Sequence, residues 1–293
     1  MKKIVIPFPE LFPLAQSLCD VLSADMQFVE TRRFPDGETY LRLPELLHGR
    51  DIILVAPLDR PDEKTLPIMF AAMTAKELGA NSVGLVAPYL PYMRQDKRFK
   101  PGEAITSTHF AGIVSQSIDW LVTVDPHLHR RNSLSEIYSV PTAVVHAAPV
   151  MADWIANNVK KPLLVGPDSE SEQWVRAVAD GIGADWMVLE KKRYGDENVV
   201  VSVPNVEQWY DHTPVIVDDI VSSAKTMIAT VKHLRAANMS APTCIGVHAI
   251  FAGGSYQALL DAGAGKVVSC NTVRHQSNQI DVSAILAQAI NKI

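Results

Sequence analysis

Two adjacent carboxylates in the second half of the chain precede a run of small and hydroxyl-bearing residues. Asp218 and Asp219 follow the apolar run Val215–Val217. The residues after them include Ser222, Ser223, Ala224, Lys225 and Thr226. A loop between a strand and a helix can present backbone N–H groups and the positive helix end to a phosphate. The two carboxylates, expected at the strand end, could hold sugar hydroxyls or ligate Mg²⁺, or could simply cap the helix.

A segment rich in cations and aromatic residues follows another predicted strand, Val83–Ala87. The segment runs from Pro88 to Phe99 and contains Tyr89, Tyr92, Arg94, Gln95, Asp96, Lys97 and Arg98. Aromatic rings can stack on a base, and cationic side chains can neutralise a polyphosphate. The segment is therefore a candidate nucleotide site, and a solvated basic loop is the alternative.

Asp125-Pro126-His127 follows a third predicted strand, Trp120–Val124, with His129 two positions further on. Side chains at alternating positions can point the same way, so Asp125 and His127 could bind a divalent cation. No cluster of further ligands with zinc spacing accompanies them. A purely structural histidine at the strand end is the alternative.

Three cations, Lys191, Lys192 and Arg193, lie between two predicted strands. We expect them at a hairpin tip, where they either form a soluble turn or close over a polyphosphate and stabilise charge in a transition state. Phe34-Pro35-Asp36-Gly37-Glu38 is predicted to form the equivalent tip in the first half of the chain. This second tip lacks the lysines and could instead contact a base.

The elements that must position these residues are short apolar strands alternating with helical patterns. Continuous apolar strands between helices favour mostly parallel sheets covered on both faces. The predicted strands are Lys3–Ile6, Gln27–Arg32, Thr39–Leu43, Ile52–Ala56, Val83–Ala87, Trp120–Val124, Ala143–His146, Leu163–Val165, Trp186–Leu189, Val199–Val203, Val215–Val217, Thr243–Ala249 and Lys266–Ser269. Helical spacing occurs in Thr65–Leu78, Ser171–Ala179 and Thr226–Ala237.

An internal repeat relates the two halves. Ala184–Pro204 aligns without a gap to Ala24–Pro44, which lies 160 positions earlier, and both lead into an apolar strand and a helix that opens Lys-Thr. The repeat predicts two copies of one α/β domain, at residues 1–146 and 147–281. The remaining segment, 282–293, is predicted to be a helix that packs on either domain.

Composition excludes several classes of protein. The chain has 293 residues, a net charge of −5 and 47% hydrophobic residues, which disfavours disorder and a nucleic-acid partner. Its three cysteines lack metal-ligand spacing, and no apolar run is long enough to span a membrane. We therefore expect a soluble, cytoplasmic protein with reduced thiols.

Six motifs occur in the order and spacing of ribose-phosphate diphosphokinases (phosphoribosyl pyrophosphate synthetases), which the chain resembles over essentially its whole length. They are Arg33–Glu38, Pro91–Lys97, Asp125–His127, Gly166–Asp168, Lys191–Arg193 and Asp218–Thr226. The resemblance implies two tandem phosphoribosyltransferase-type α/β domains. It also implies transfer of the pyrophosphoryl group of Mg-ATP to the C1 hydroxyl of ribose 5-phosphate, giving phosphoribosyl pyrophosphate and AMP.

The same resemblance implies roles for individual residues. ATP would be bound by Arg94, Gln95 and Asp96 and, from a neighbouring subunit, by Phe34, Asp36, Gly37 and Glu38, so the enzyme would be a homo-oligomer. Ribose 5-phosphate would be bound by Asp218, Asp219, Ser222, Ser223, Ala224, Lys225 and Thr226. His127 and Asp168 would ligate Mg²⁺, and Lys191 and Arg193 would be catalytic.

The chain departs from the family pattern in the phosphate loop. Ser222 replaces an acid, and Lys225 replaces a glycine. The lysine would remove access to positive φ at this position and would add a positive charge. Two other functions remain open: a phosphoribosyltransferase, and a non-catalytic relative that regulates a synthetase. A transferase would need only one such domain, and a regulator would be expected to lose Lys191 or the metal ligands.

Overall fold

The computed structural model describes residues 2–167, 171–194, 198–202 and 207–293. The chain divides into two compact units. The first unit contains Met1–His146, Thr272–Arg274 and Val282–Ile293, and the second contains Ala147–Asn271 and His275–Asp281. None of the helices in the described ranges is long and apolar enough to cross a membrane.

The first unit is built on a parallel sheet of six strands in the order β2-β1-β5-β6-β7-β8. These strands are β1 Lys3–Pro7, β2 Asp25–Met26, β5 Asp51–Val55, β6 Ser82–Val86, β7 Trp120–Val124 and β8 Thr142–Val145. An antiparallel hairpin, β3 Glu30–Arg33 and β4 Thr39–Arg42, stands apart from the sheet. The helices are α1 Phe12–Leu22, α2 Pro61–Glu77 and α3 Thr106–Ser117.

The second unit repeats this architecture with the order β10-β9-β13-β14-β15-β16. Its strands are β9 Pro162–Gly166, β10 Asp185–Val188, β13 Thr213–Val221, β14 Thr243–Ala249, β15 Lys266–Cys270 and β16 Asn278–Ile280, and its hairpin is β11 Glu190–Tyr194 with β12 Asn198–Ser202. The helices are α4 Ala148–Asn158, α5 Glu172–Ile182, α6 Lys225–Ala236 and α7 Ser255–Asp261. The predicted fold class and the duplication are thereby confirmed.

Burial on both faces explains why the central strands read as unbroken apolar runs. Ile52 to Val55 of β5 are all fully buried, and so are Val215 to Val217 of β13. Small residues allow the close packing around these strands. A Cβ placed on Gly84 of β6 would lie 1.9 Å from the ring of Trp120 on the neighbouring β7, so this position requires glycine.

The first unit is completed by a helix from a distant part of the chain. Helix α4 follows β8 along the chain but belongs to the second unit, where it packs on α5 and β16. The last helix, α8 Ser283–Ile290, follows β16 but packs on α1, β7 and β8 of the first unit. Leu286 of α8 is fully buried there.

One predicted strand is wrong. In the segment Gln27–Arg32, only Glu30–Arg32 belongs to a strand, the hairpin strand β3, whereas β2 ends before the segment and pairs with β1 through Asp25 and Met26. The chain leaves the sheet between them, and Phe28 is 60% exposed. The strands β2, β11 and β16 and the helices α1, α3, α4 and α7 are not among the predicted elements.

Candidate functional site

The paired carboxylates of the second unit lie within a strand rather than at its end. Strand β13 pairs with β9 only as far as Ile216, but it continues alongside β14 to Val221. Asp218 and Asp219 therefore occupy a projecting part of β13 with one open edge. The Asp218 carboxylate accepts a hydrogen bond from the Asp219 amide at 3.0 Å, and the Asp219 carboxylate accepts one from the Ile220 amide at 2.7 Å.

This placement corrects the sequence prediction that the two residues end the strand. The alternative of a helix cap is also wrong, because the residue at the N-cap of α6 is Ala224. Both side chains remain half-buried near the carboxyl edge of the sheet. That edge is where open parallel sheets bind ligands.

The loop Ser222–Thr226, which is predicted to bind phosphate, bends at Ala224. This residue has φ 54° and ψ 12°, in the left-handed region, and it is buried. Lys225 is the first residue of α6 and is exposed. The positive φ of this loop therefore falls at Ala224, one residue before Lys225, so the loss of a glycine at position 225 removes no backbone conformation that the loop uses.

In the segment Pro88–Phe99, two of the three predicted ATP-binding residues are already engaged with other side chains. Nη1 of Arg130 donates to Oδ1 of Asp96 at 2.9 Å, and the Asp96 side chain is only 3% exposed. Oε1 of Gln95 accepts a hydrogen bond from the Thr106 hydroxyl at 3.0 Å. Arg94 is exposed. Sequence analysis missed Arg130, which lies 34 residues beyond its partner.

The tyrosines of this segment do not form the predicted stacking surface. Tyr89 is buried, and the Tyr92 ring packs on Phe110 with centroids 4.9 Å apart. The Tyr92 hydroxyl also donates to the Asp62 carboxylate, and burial together with this bond raises the pKa of Tyr92 to about 12. The exposed ring is that of Phe99, which lies 4.7 Å from the Lys97 ammonium.

The carboxylate of Asp125, which is predicted to bind a cation together with His127, also contacts a second histidine. The Asp125 side chain is 5% exposed, and its Oδ1 lies 2.8 Å from Nδ1 of His146 at the end of β8. This hydrogen bond raises the pKa of His146 above its ordinary value. The His127 ring lies against His129, with centroids 3.8 Å apart. Sequence analysis missed His146, although the parallel pairing of β7 with β8 could have suggested it.

Within the ranges that the structure describes, no three His, Cys, Asp or Glu side chains converge as a metal cage. The other predicted ligand, Asp168, lies outside the described residues. Mg²⁺ commonly takes only one or two protein ligands and fills its other positions with water and substrate phosphates. The half-buried His127 is compatible with that mode of binding.

The hairpin tip of the first unit is tied to helix α2. Arg33 donates through Nη1 to the Gly37 carbonyl and through Nη2 to the Glu63 carbonyl, both at 2.9 Å. The Asp36 carboxylate accepts a hydrogen bond from the Glu38 amide at 3.1 Å. The tip, which carries Phe34, Asp36, Gly37 and Glu38, is exposed as a whole.

A cleft of about 290 Å³ lies between this hairpin, the loops after β1 and β5, and the start of α2. Its lysine is already neutralised: the Lys64 ammonium lies 2.6 Å from the Asp59 carboxylate and 3.3 Å from that of Glu10. The equivalent place in the second unit carries the small-residue loop. A phosphate in this cleft of the first unit would face the carboxylates of Asp59 and Glu10, a repulsion that the small-residue loop does not impose.

The three cations of the second hairpin lie in a strand and not at the tip. Lys191, Lys192 and Arg193 belong to β11 and pair with Val201, Val200 and Val199 of β12. The tip itself, residues 195–197, lies outside the described residues. The prediction of a cationic tip is therefore wrong, and the counterpart of this triplet in the first unit is Thr31–Arg33 rather than Phe34–Glu38. The ungapped repeat, with its offset of 160 positions, already aligns Lys191–Arg193 with Thr31–Arg33.

Comparison with known proteins matches both halves of the chain. Residues 6–117 match the family model of the N-terminal domain of ribose phosphate pyrophosphokinase, and residues 133–284 match that of a phosphoribosyl transferase domain. A ribose-phosphate pyrophosphokinase of Methanothermobacter thermautotrophicus is 31% identical, covering 94% of this chain and 96% of the relative. One from Methanopyrus kandleri is 30% identical and covers 99% of each chain.

A solved structure shows the same fold. The crystal structure of phosphoribosylpyrophosphate synthetase from Mycobacterium smegmatis superposes with a TM-score of 0.86 at 21% identity. The match covers 99% of this chain and 98% of that one.

Proposed function

This chain belongs to the ribose phosphate pyrophosphokinase family, and we propose that it transfers the pyrophosphoryl group of Mg-ATP to ribose 5-phosphate, producing phosphoribosyl pyrophosphate and AMP. The observation that carries this proposal is the full-length match, with 30% identity over 99% of both chains for one relative. The duplicated fold supports it as well, because a single phosphoribosyltransferase domain would account for only half of the chain.

The reaction needs alignment and charge neutralisation more than covalent help. The oxygen on C1 of the sugar bonds to the β-phosphorus while the bond from that phosphorus to the α–β bridging oxygen breaks. AMP leaves, and the hydroxyl proton is released. The groups of this chain are therefore assigned to holding two anionic substrates in line and to stabilising the charge on the transferring group.

The second unit is assigned to ribose 5-phosphate. The half-buried carboxylates of Asp218 and Asp219 suit the sugar hydroxyls, and backbone N–H groups at the start of α6 suit the phosphate. The loop residues that take part are Ser222, Ser223, Ala224, Lys225 and Thr226. The exposed Lys225 adds a positive charge at this point.

The first unit is assigned to ATP. Arg94 is exposed and free to reach the polyphosphate, whereas the buried carboxylate of Asp96 acts through Arg130. The exposed tip residues Phe34, Asp36, Gly37 and Glu38 serve the adenine site of a neighbouring subunit, which makes the enzyme at least a dimer. The exposure of this tip and its anchoring by Arg33 support that assignment.

The remaining assignments concern charge on the phosphates. When bound, Mg²⁺ would neutralise phosphate oxygens, and His127 and Asp168 would hold it together with oxygens of ATP. Lys191 and Arg193, both in β11, stabilise the transferring group.

The test is AMP release from Mg-ATP, measured with and without ribose 5-phosphate and with no nucleobase present. We expect AMP and phosphoribosyl pyrophosphate in equal amounts, and only when the sugar phosphate is added. Release of pyrophosphate from added phosphoribosyl pyrophosphate, only when a nucleobase is also present, would instead indicate a phosphoribosyltransferase. Absence of both activities would contradict the proposal.

A further inference from the structure

The loop that follows β14 is hydrogen-bonded to the start of the phosphate loop. The Ser222 carbonyl accepts two hydrogen bonds, from the Ala252 amide at 3.1 Å and from the Ser255 hydroxyl at 2.7 Å. One residue earlier, the Val221 carbonyl accepts a hydrogen bond from the Phe251 amide at 2.9 Å. Ser255 is only 5% exposed, so its hydroxyl has little access to water as an alternative partner.

Both connected loops contain a residue in the left-handed region. Ala224 has φ 54° and Phe251 has φ 37°, and neither is glycine. Such conformations persist where the surrounding structure over-determines them, and they cluster at ligand sites. The Phe251 ring also packs on two other rings. Its centroid lies 5.3 Å from that of Tyr256 and 4.6 Å from that of His275.

Because the peptide group is planar, these contacts determine the direction of the N–H group that follows the Ser222 carbonyl. The carbonyl of Ser222 and the N–H of Ser223 belong to one planar trans peptide and point in opposite directions. Because two hydrogen bonds fix the carbonyl toward the loop 251–255, the Ser223 N–H is directed away from that loop. Backbone N–H groups with a fixed direction are what a phosphate-binding loop requires.

We propose that Ser255 is a positioning residue of the phosphate site. Its hydroxyl fixes the Ser222 peptide and thereby directs the N–H groups of the loop Ser222–Thr226 at the phosphate of ribose 5-phosphate. Ser255 itself does not touch the substrate. The identity of the ligand rests on the proposed function, whereas the bracing of the loop rests on the contacts alone.

The test uses Ser255→Ala, Ser255→Thr and a matched control in the full-length protein. Ser117→Ala in the first unit is that control, because Ser117 is also 5% exposed. Binding of ribose 5-phosphate is measured by calorimetric titration without ATP. The KM values for both substrates and the hydrogen exchange of a peptide covering residues 222–226 are measured alongside.

For Ser255→Ala we expect ribose 5-phosphate to bind roughly tenfold more weakly, as loss of one buried hydrogen bond implies. Its KM should rise by the same factor, the KM for ATP should stay within about twofold, and exchange at 222–226 should accelerate. Ser255→Thr, which keeps the hydroxyl, should recover most of the affinity.

Two results would overturn the inference. One is unchanged exchange at 222–226 in Ser255→Ala, which would show that the loop is not braced whatever the protein catalyses. The other is an equal loss of sugar-phosphate affinity in Ser117→Ala, which would show a general loss of stability. Failure of the proposed function looks different, because the wild type would then neither bind ribose 5-phosphate nor release AMP with it.

Discussion

The guanidinium of Arg130 lies 2.9 Å from the carboxylate of Asp96, whose side chain is 3% exposed, while Arg130 itself is 46% exposed. The buried carboxylate therefore orients a cation that remains accessible. Arg130 lies three residues after His127, which is assigned to the metal. Under the proposed function, Asp96 would therefore act on ATP through Arg130 rather than directly.

We expect Arg130→Ala and Asp96→Asn each to raise the KM for ATP by about tenfold, the size of one charge-assisted hydrogen bond. Because both changes remove the same interaction, the double variant should be little worse than either single one. Steady-state kinetics on the four proteins measures this coupling. Lys100→Ala, which removes an exposed charge from the same segment, is the control. Additive effects would mean that the two residues act separately.

Lys191→Ala should reduce turnover far more than ATP affinity, because its charge is assigned to the transition state. We expect a loss of roughly 2–4 kcal/mol in activation free energy, the size of one oxyanion-stabilising group. The measurement is kcat and KM under saturating ribose 5-phosphate. Lys192→Ala removes the same charge at the neighbouring position of β11 and should have a much smaller effect. Turnover of Lys191→Ala within threefold of the wild type would refute the catalytic assignment.

The hairpin tip of the first unit should act on a neighbouring subunit. Glu38→Ala and Lys191→Ala are each expected to be nearly inactive, but a mixture should regain activity if subunits exchange. A mixed oligomer can then form a site with both an intact lysine and an intact glutamate. Native mass spectrometry establishes whether exchange has occurred. If exchange occurs and activity does not return, the tip does not act in trans.

The pair of His146 and Asp125 should make stability depend on pH. The hydrogen bond to Asp125 raises the pKa of His146, so its contribution to stability is fully present below the unfolded pKa of about 6.5. That contribution is lost as the pH rises through the folded pKa. His146→Gln should therefore destabilise the protein more at about pH 5.5 than at about pH 8.5. Chemical denaturation at both pH values tests this, and a loss that does not vary with pH would contradict it.

The last helix should stabilise the first unit rather than the second. Leu286 of α8 is fully buried, so Leu286→Ala should reduce the free energy of unfolding by about 2–5 kcal/mol. Hydrogen exchange locates the effect, and protection should fall in β7 and β8 before it falls in β9 and β13. Ile293→Ala, at an exposed position, is the control. Loss of protection in the second unit first would contradict this assignment.

Much of the fold could be predicted because it depends on local sequence patterns. Strands buried on both faces read as apolar runs, so β7 and β14 were located to the residue. The end of a strand was harder to predict where the strand loses one of its two neighbours and remains paired with the other. Strand β13 outlasts its pairing with β9, and this is why Asp218 and Asp219 lie inside it. Likewise, pairing with β12 places the cations from Lys191 to Arg193 in a strand, although the ungapped repeat already aligns them with Thr31–Arg33.

By itself, the sequence determined the α/β class, the duplication and the family, because apolar runs, a gapless repeat and ordered motifs are all properties of the linear chain. Only the tertiary structure decided which side chains meet. Asp96 pairs with Arg130 and Asp125 with His146, and Ser255 reaches the Ser222 carbonyl. These partners are 21 to 34 residues apart, and their meeting depends on which loops emerge from neighbouring parallel strands. Pairing between strands, which no local pattern encodes, therefore decided the details of the site.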